Sequence, residues 1–90
     1  MDIVQTPEFK RQVKKLYKNQ KDQLDEAVKV IAKDPLTGIP KKGDLSDVRV
    51  YKFKMVNQLT LLAYEFNSHQ IQLILLALGT HENFYRDLKK

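Results

Sequence analysis

The fold is decided by residues 48–80, which read VRVYKFKMVNQLTLLAYEFNSHQIQLILLALGT. Apolar side chains alternate with polar ones in its first part, which is the spacing of a β-strand. Polar pairs at 57–58 and 67–68 interrupt the stretch as tight turns do. The stretch therefore predicts three consecutive strands, at residues 48–56, 59–66 and 70–78, with Gly79 ending the third. The second of these is almost wholly apolar, which is typical of a central strand covered on both faces.

The first predicted strand has two different faces. Strand alternation places Lys52 and Lys54 on one face and Tyr51, Phe53 and Met55 on the other. An aromatic and aliphatic face of this kind suits packing against helices. The two lysines are then expected to face solvent or a ligand.

The region before these strands predicts a short strand and two helices. Residues 2–6 alternate weakly, and Thr6-Pro7-Glu8 has the cap hydroxyl, first-turn proline and first-turn acid of a helix start. Apolar stripes with helical spacing follow in 9–17 and 24–32, separated by a polar turn at 19–21. The second helix is expected over 22–33, since the residue before Pro35 avoids the helical region.

The two remaining segments carry weaker signals. Residues 36–47 contain the glycines and prolines of a loop, and 82–88 predict a short C-terminal helix or an extended arm. The order is then strand, helix, helix and three strands. It predicts a single α+β domain over residues 1–90, in which a helical hairpin covers one face of a small, mostly antiparallel sheet.

Composition excludes several classes of protein. The 90 residues are 42% hydrophobic and 30% charged, as in a globular domain, and they include no cysteine. Disulfide scaffolds, thiolate zinc sites and cysteine nucleophiles are therefore excluded. No apolar run approaches the roughly 20 residues of a membrane-spanning helix. The N-terminus lacks the features of a signal peptide, so we expect a cytoplasmic protein without a membrane partner.

The positive charge is concentrated in one part of the chain. Sixteen Lys and Arg side chains against eleven Asp and Glu give a net charge of +5. Residues 1–56 hold thirteen basic and eight acidic side chains, whereas residues 57–90 hold three of each. A basic surplus of this kind favours a nucleic acid or an acidic protein as partner.

Two motifs resemble a known family. The stretch GDLSDVRVYKFK at 43–54 is similar to a glycine-containing loop that leads into a strand with alternating lysines. The stretch LGTHENFY at 78–85 resembles the ending of a last strand followed by G-T-H and, four residues after the histidine, an aromatic residue. Together with the order of elements, these motifs resemble the RelE/ParE toxins of bacterial toxin–antitoxin systems, in particular their YafQ-like and HigB-like messenger-RNA-cleaving branches.

The resemblance implies a function. The RNase branches cut messenger RNA in the ribosomal A site, and the attacking group is the 2′-hydroxyl of the RNA itself. No metal or other cofactor is then needed. The implied partners are messenger RNA, ribosomal RNA and a separate acidic antitoxin, which would form a hetero-oligomer with the toxin and cover its basic surface.

The resemblance also implies site residues. The expected catalytic residues are His81, Tyr85, Lys52 and Lys54: an imidazole to move a proton, an aromatic ring to hold the nucleotide, and two cations beside the phosphate. The expected RNA-binding residues are Arg86, Arg49, Lys14 and Lys18. The alternative for each is structural: a loop histidine, a tyrosine that packs the tail, and lysines on a solvated face.

One position departs from the resembling pattern. Many RelE-like members carry a catalytic arginine three residues before the tyrosine that aligns with Tyr64, where this chain has Leu61. Two alternatives therefore stay open. One is a ParE-type inhibitor of DNA gyrase, which is a binding protein, and the other is a non-toxic RNA-binding module that kept the fold. His81 with Tyr85 favours the RNase.

Overall fold

The apolar run predicted as the central strand occupies the middle of a five-stranded sheet. A computed structural model of the chain describes residues 1–41 and 48–80. The elements are β1 (Asp2–Gln5), α1 (Pro7–Lys14), α2 (Lys18–Lys33), β2 (Ile39–Pro40), β3 (Val48–Met55), β4 (Gln58–Asn67) and β5 (Gln72–Thr80).

The sheet is mixed, with the strand order β1-β5-β4-β3-β2. The β1–β5 pair is parallel, and the other three pairs are antiparallel. The N-terminal strand thus lies at one edge of the sheet beside the last strand, and the helical hairpin connects it to β2 at the opposite edge. The predicted α+β class is confirmed. The structure adds the short edge strand β2 within the segment predicted as a loop.

Both faces of β4 are buried, as its composition predicts. Leu62 and Tyr64 belong to the larger core on the helix side, together with Phe9 of α1 and Ile31 of α2. The opposite side of β4 contributes to a second, smaller cluster, which consists of Val48, Val50, Leu61 and Ala63. Only residues 60–64 of this strand are buried throughout, and a segment that meets almost no water on either face is expected to be largely apolar, which explains the absence of alternation there.

The predicted start of α1 is confirmed, and the capping residue also ties the helix to the sheet. The Thr6 hydroxyl accepts a hydrogen bond from the Phe9 N–H at 3.2 Å and donates one to the Leu76 carbonyl at 2.9 Å. Pro7 follows at the first helical position, where its missing N–H costs nothing. One side chain therefore satisfies the helix end and fixes its position on β5.

The predicted turn between the helices is wrong by a few residues. It was expected at 19–21, but α1 ends at Lys14 and α2 begins at Lys18. The Leu16 N–H bonds to the Val13 carbonyl, an i→i+3 bond that tightens the chain after α1. The Gln20 side chain then accepts from the Tyr17 N–H at 2.8 Å and satisfies the first turn of α2. Gln20 therefore stabilises a helix start and lies outside the turn.

The predicted limits of the last strand are also wrong. The turn before it is longer than two residues, because the Asn67 side chain accepts from the N–H groups of His69 and Gln70. The strand then continues through Gly79, which pairs with Leu61. Glycine within a paired strand only weakens it, so Gly79 does not end β5. The expectation for 82–88 lies outside the described residues.

A buried tyrosine hydroxyl holds the loop between α2 and β2. Tyr64 has no exposed surface, and its hydroxyl donates to the Pro35 carbonyl at 2.6 Å. The same oxygen accepts from the Gly38 N–H at 2.8 Å. A phenol in the core needs such partners, and the loop supplies both a donor and an acceptor.

Gly38→Ala is expected to destabilise the protein by about 1–3 kcal/mol, as overpacking typically does. A methyl group at this position would come within 2.5 Å of the Tyr64 hydroxyl oxygen, so the loop or the ring has to move. Urea unfolding of the two proteins measures the difference. The control is Thr37→Ala in the same loop, where the side chain is exposed and little change is expected. Equal loss in both variants would contradict the steric explanation.

Tyr64→Phe is expected to cost about 1–3 kcal/mol near neutral pH, because it leaves the Gly38 N–H buried without its acceptor. Burial raises the pKa of the Tyr64 hydroxyl above its usual value, although the Gly38 N–H and the Arg49 charge oppose that shift. A raised pKa in the folded state means that the neutral phenol stabilises the fold. This contribution is present below about pH 10 and is lost as pH rises through the folded-state pKa.

The measurement for Tyr64 is the difference in unfolding free energy between wild type and Tyr64→Phe, from about pH 8 to about pH 11. The difference is expected to shrink at the upper end, because only the wild type loses the neutral phenol. A difference that stays constant over this range would contradict the role given to the buried hydroxyl. The other tyrosines and the lysines titrate in both proteins, so their contributions cancel in the difference between the two unfolding free energies.

Candidate functional site

Lys52 and Lys54 lie side by side on the face of the sheet opposite the helices. Both side chains are exposed. On the other side of the same strand, Tyr51 and Phe53 are half-buried against the helix-side core, with their rings stacked at a centroid distance of 6.0 Å. The Cα atoms of the two lysines are about 6.5–7 Å apart, as for any i, i+2 pair in a strand. The two faces predicted for this strand are therefore confirmed.

The strand register relates these lysines to the end of β5. Lys52 pairs with Leu61, which pairs with Gly79. One row further, Phe53 pairs with Thr60 and Thr60 with Thr80. Lys52 and Lys54 therefore lie at the same end of the sheet as the end of β5, two strand spacings or about 10 Å away.

Three of the expected site residues follow this end of β5 in the chain. His81, Tyr85 and Arg86 come after Thr80 and lie outside the described residues. Their expected roles stay predictions. The described part of the molecule fixes the point from which the chain continues toward them.

Leu61 lies at the centre of the sheet face that carries Lys52 and Lys54, hereafter the lysine face, and is fully buried. It lies between Lys52 and Gly79 in the sheet. Among the paired residues Lys52, Leu61 and Gly79, the positive charge thus comes from Lys52. The β4 position at which the resemblance places an arginine carries no charge. Any stabilisation of a phosphate by the described residues of this face depends on Lys52 and Lys54.

Arg49 lies apart from the lysines and is already engaged. It pairs with Tyr64 across the strands, so its side chain is on the helix side of β3. The Arg49 guanidinium donates to the Gly38 carbonyl at 2.8 Å and to the Leu36 carbonyl at 3.3 Å. Arg49 and Tyr64 thus hold the same loop from two directions, a role that residue type alone did not indicate.

Lys14 and Lys18 lie at the junction of the two helices. Lys14 is the last residue of α1 and Lys18 the first of α2, and both are exposed. The Lys18 ammonium is 3.5 Å from a carboxylate oxygen of Asp22, an exposed pair that contributes little energy. Because the helices cover the other face of the sheet, these two lysines do not share the face of Lys52 and Lys54.

A cleft of about 340 Å³ opens on the helix side, between the helix junction and the ends of three strands. Leu16 and Met55 supply apolar walls, and Gln58, Thr60 and Thr80 supply polar groups. The sequence did not predict it, because its walls come from four separate segments. It lies on the opposite side of the sheet from the two lysines.

Two kinds of site are not found in the described residues. Within 1–41 and 48–80, no three His, Asp or Glu side chains are grouped so that they could hold a metal ion. In the same ranges, neither helix has the length and apolar character needed to cross a bilayer.

Solved structures show that the fold is shared with known toxins. The isolated RelE toxin of E. coli is 16% identical, with a TM-score of 0.70 over 98% of this chain and 95% of that chain. A chain of the intact E. coli RelBE toxin–antitoxin complex has the same identity and a TM-score of 0.71, over 88% and 94%. HP0892 of Helicobacter pylori, described as a conserved hypothetical protein, is 23% identical, with a TM-score of 0.59 over 93% and 98%.

The sequence comparisons are more specific. No curated protein sequence matches this chain. A family described as the ParE-like toxin of type II bacterial toxin–antitoxin systems matches residues 3–89, which is nearly the whole chain. Together with the RelE-like fold, this match assigns the protein: the chain belongs to the ParE-like toxins of type II toxin–antitoxin systems, within the RelE/ParE superfamily.

Proposed function

We propose that this toxin is a ribosome-dependent endonuclease that cleaves messenger RNA and so inhibits translation. The observation that carries the proposal is the exposed pair Lys52 and Lys54, at the end of the sheet from which the chain continues to His81. Two cations with strand spacing suit the phosphates of a single-stranded RNA. They lie on a face that the helices leave open.

The chemistry needs only RNA and side chains. The 2′-oxygen attacks the neighbouring phosphorus, its proton passes to a base, and the bond from phosphorus to the 5′-oxygen breaks as that oxygen takes a proton. His81 is the proposed proton-transfer group, because an imidazole exchanges protons near neutral pH. Lys52 and Lys54 stabilise the additional negative charge on phosphorus in the transition state. Tyr85 holds the nucleotide by stacking.

The partners follow from the same proposal. Messenger RNA in the ribosomal A site is the substrate, with ribosomal RNA as the surrounding surface. Arg86, Arg49, Lys14 and Lys18 are the proposed RNA contacts; for Arg49 the contact exchanges its bonds to the Leu36 and Gly38 carbonyls for bonds to a phosphate. A cognate acidic antitoxin is the proposed inhibitor. RelE of E. coli has been crystallised in complex with its antitoxin, which supports a complex of this kind.

Two observations favour the other branch of the superfamily. The matching family is named for ParE, and the centre of the lysine face holds the buried Leu61 where the resemblance expects an arginine. A toxin without that cation could act by binding DNA gyrase. It would then need neither His81 nor RNA, so the two functions predict different damage in the cell.

His81→Ala is expected to lower messenger-RNA cleavage by about a hundredfold or more, the usual contribution of general acid–base catalysis. Cleavage sites are mapped by primer extension on transcripts from cells that express each protein. The control is His69→Ala, which removes an exposed histidine in the β4–β5 turn and should leave cleavage unchanged. Intact transcripts together with double-strand DNA breaks in a damage reporter would establish the gyrase inhibitor instead.

Replacing both Lys52 and Lys54 with alanine is expected to lower cleavage about a hundredfold, because both lie on the face where phosphate charge develops. The control replaces the exposed Lys10 and Lys21 of the helices, which removes the same net charge. In a translation reaction with purified ribosomes, the control should keep most of its activity. Equal losses in the two double variants would mean that only overall charge matters, against a specific role for this face.

A further inference from the structure

The cleft at the helix junction combines an apolar lining with a group of polar side chains. Leu16, Met55 and Leu78 supply the apolar part, and Met55 and Leu78 are buried. The volume of about 340 Å³ is at the lower end of the range found for ligand sites in proteins. The cleft therefore has the size for a small organic molecule.

The orientation of the Gln12 side-chain amide is fixed by a bond to the sheet. The Leu78 N–H donates to the Gln12 side-chain oxygen at 2.7 Å. Only the oxygen of an amide can accept from an N–H group, so this bond also decides which branch of the side chain carries the NH₂ group. That NH₂ group makes no hydrogen bond to another described residue. Gln12 lines the cleft and thus offers it N–H donors, while its oxygen is engaged.

The same argument applies to Gln20, on the other helix. Its side-chain oxygen accepts from the Tyr17 N–H at 2.8 Å, at the start of α2. The NH₂ group of Gln20 is therefore the branch without a described partner, and Gln20 also lines the cleft. Two amides from different helices thus present the same kind of group, an N–H donor held in place by a structural bond.

The charge at the cleft has a single sign. Lys15 lines it, and the Lys15 ammonium forms no ion pair with another described residue. No Asp or Glu is among the described residues of the lining. A negatively charged ligand would therefore meet a cation and N–H donors, with no like charge beside them.

We propose that this cleft binds a small organic carboxylate that carries an apolar body. The carboxylate oxygens accept from the NH₂ groups of Gln12 and Gln20 and pair with the Lys15 ammonium. A carboxylate has about four lone-pair positions, which is enough for these three donors. The apolar body packs against Leu16 and Met55 and removes their surface from water. This site is on the opposite side of the sheet from the lysine face.

Both parts of the ligand are required by the lining. A purely apolar molecule would cover two amide NH₂ groups without giving them an acceptor, which costs free energy. A small anion without an apolar body would leave the apolar lining in water and gain only a solvated charge pair. The combination of fixed donors, one cation and apolar walls therefore selects an amphipathic anion.

The test titrates octanoate into the ¹⁵N-labelled full chain and follows the backbone amide resonances by NMR. The Leu78 N–H bonds directly to Gln12, so its resonance reports on the cleft. We expect saturable shifts of Leu78 and Thr80 with a dissociation constant of about 0.1–1 mM, as for a ligand of about ten non-hydrogen atoms. Octanamide, which keeps the chain and loses the charge, should bind about tenfold more weakly. Acetate, which keeps only the charge, should give no saturable shift.

Glutamate variants remove the donors without removing the structural bonds. In Gln12→Glu and in Gln20→Glu, a carboxylate oxygen can still accept from the same backbone N–H, but the NH₂ donors are lost and a negative charge faces the ligand. Each variant should weaken octanoate binding by more than tenfold. The matched control is Gln23→Glu: Gln23 also accepts from a backbone N–H, that of Val56, and lies outside this cleft. It should bind octanoate like wild type.

A second pair of variants tests the cation. Lys15→Gln should weaken octanoate binding about tenfold and leave octanamide binding unchanged, because only octanoate carries a charge. The control is Lys10→Gln, which removes the same charge from an exposed position of α1 outside the cleft. It should leave the binding of both molecules unchanged.

Several results would overturn the proposal. They are the absence of saturable octanoate binding to the wild type, equal affinity for octanoate and octanamide, and equal affinity of Gln12→Glu and Gln23→Glu for octanoate. Uridine monophosphate that displaces octanoate and binds more tightly would show that the cleft takes a nucleotide instead. All of these measurements are made without RNA, so they stand or fall independently of messenger-RNA cleavage.

Discussion

The sheet of this protein depends on a central strand whose middle residues meet almost no water on either face. Residues 60–64 of β4 are at most 2% exposed, and the strand pairs with β3 on one side and β5 on the other. A register slip of one residue would exchange its two faces and place Tyr64 among the side chains of the lysine face. Because both faces are buried, that slip is costly, and the register that aligns Lys52 with Gly79 is strongly determined.

This constraint separates two kinds of surface. On the helix side, polar groups serve the fold: the Thr6 hydroxyl, the Tyr64 hydroxyl and the Arg49 guanidinium each bond to a carbonyl of another segment. On the opposite side, the charged groups of β3 have no described partner and are available to a ligand. A cationic side chain on this strand therefore bonds to a neighbouring loop or faces solvent according to whether its position is odd or even.

The sequence predicted what depends on periodicity. The three consecutive strands, the start of α1 and the two faces of β3 follow from alternation and capping, which are local. Features that depend on distant partners were missed. The turn at 15–17 depends on the side chain of Gln20, and β2 is a two-residue strand that exists only because Val50 and Arg49 lie beside it.

The same distinction between local features and distant partners applies to the candidate site. The shared face of Lys52 and Lys54 was predicted from their spacing, because a strand fixes where alternate side chains point, whereas their expected role came from the family resemblance. Arg49 was expected to bind RNA, and its bonds within the protein could not be predicted, since its partners are carbonyl groups of a loop with no recognisable pattern. Tyr64 looked like one more apolar residue of a buried strand, and only the approach of Gly38 reveals its hydroxyl as an anchor.

The parallel pairing of β1 with β5 has a consequence for biosynthesis. Thr6 bonds to Leu76, 70 positions later, so the edge of the sheet formed by β1 cannot be completed while β5 is still inside the ribosomal tunnel. Contacts between such distant segments slow folding, because a long loop has to close before they form. The nascent chain therefore acquires its native sheet late, after the helical hairpin and the strands between have left the peptidyl-transferase centre. A protein built in this order cannot present its complete sheet until its last strand is free.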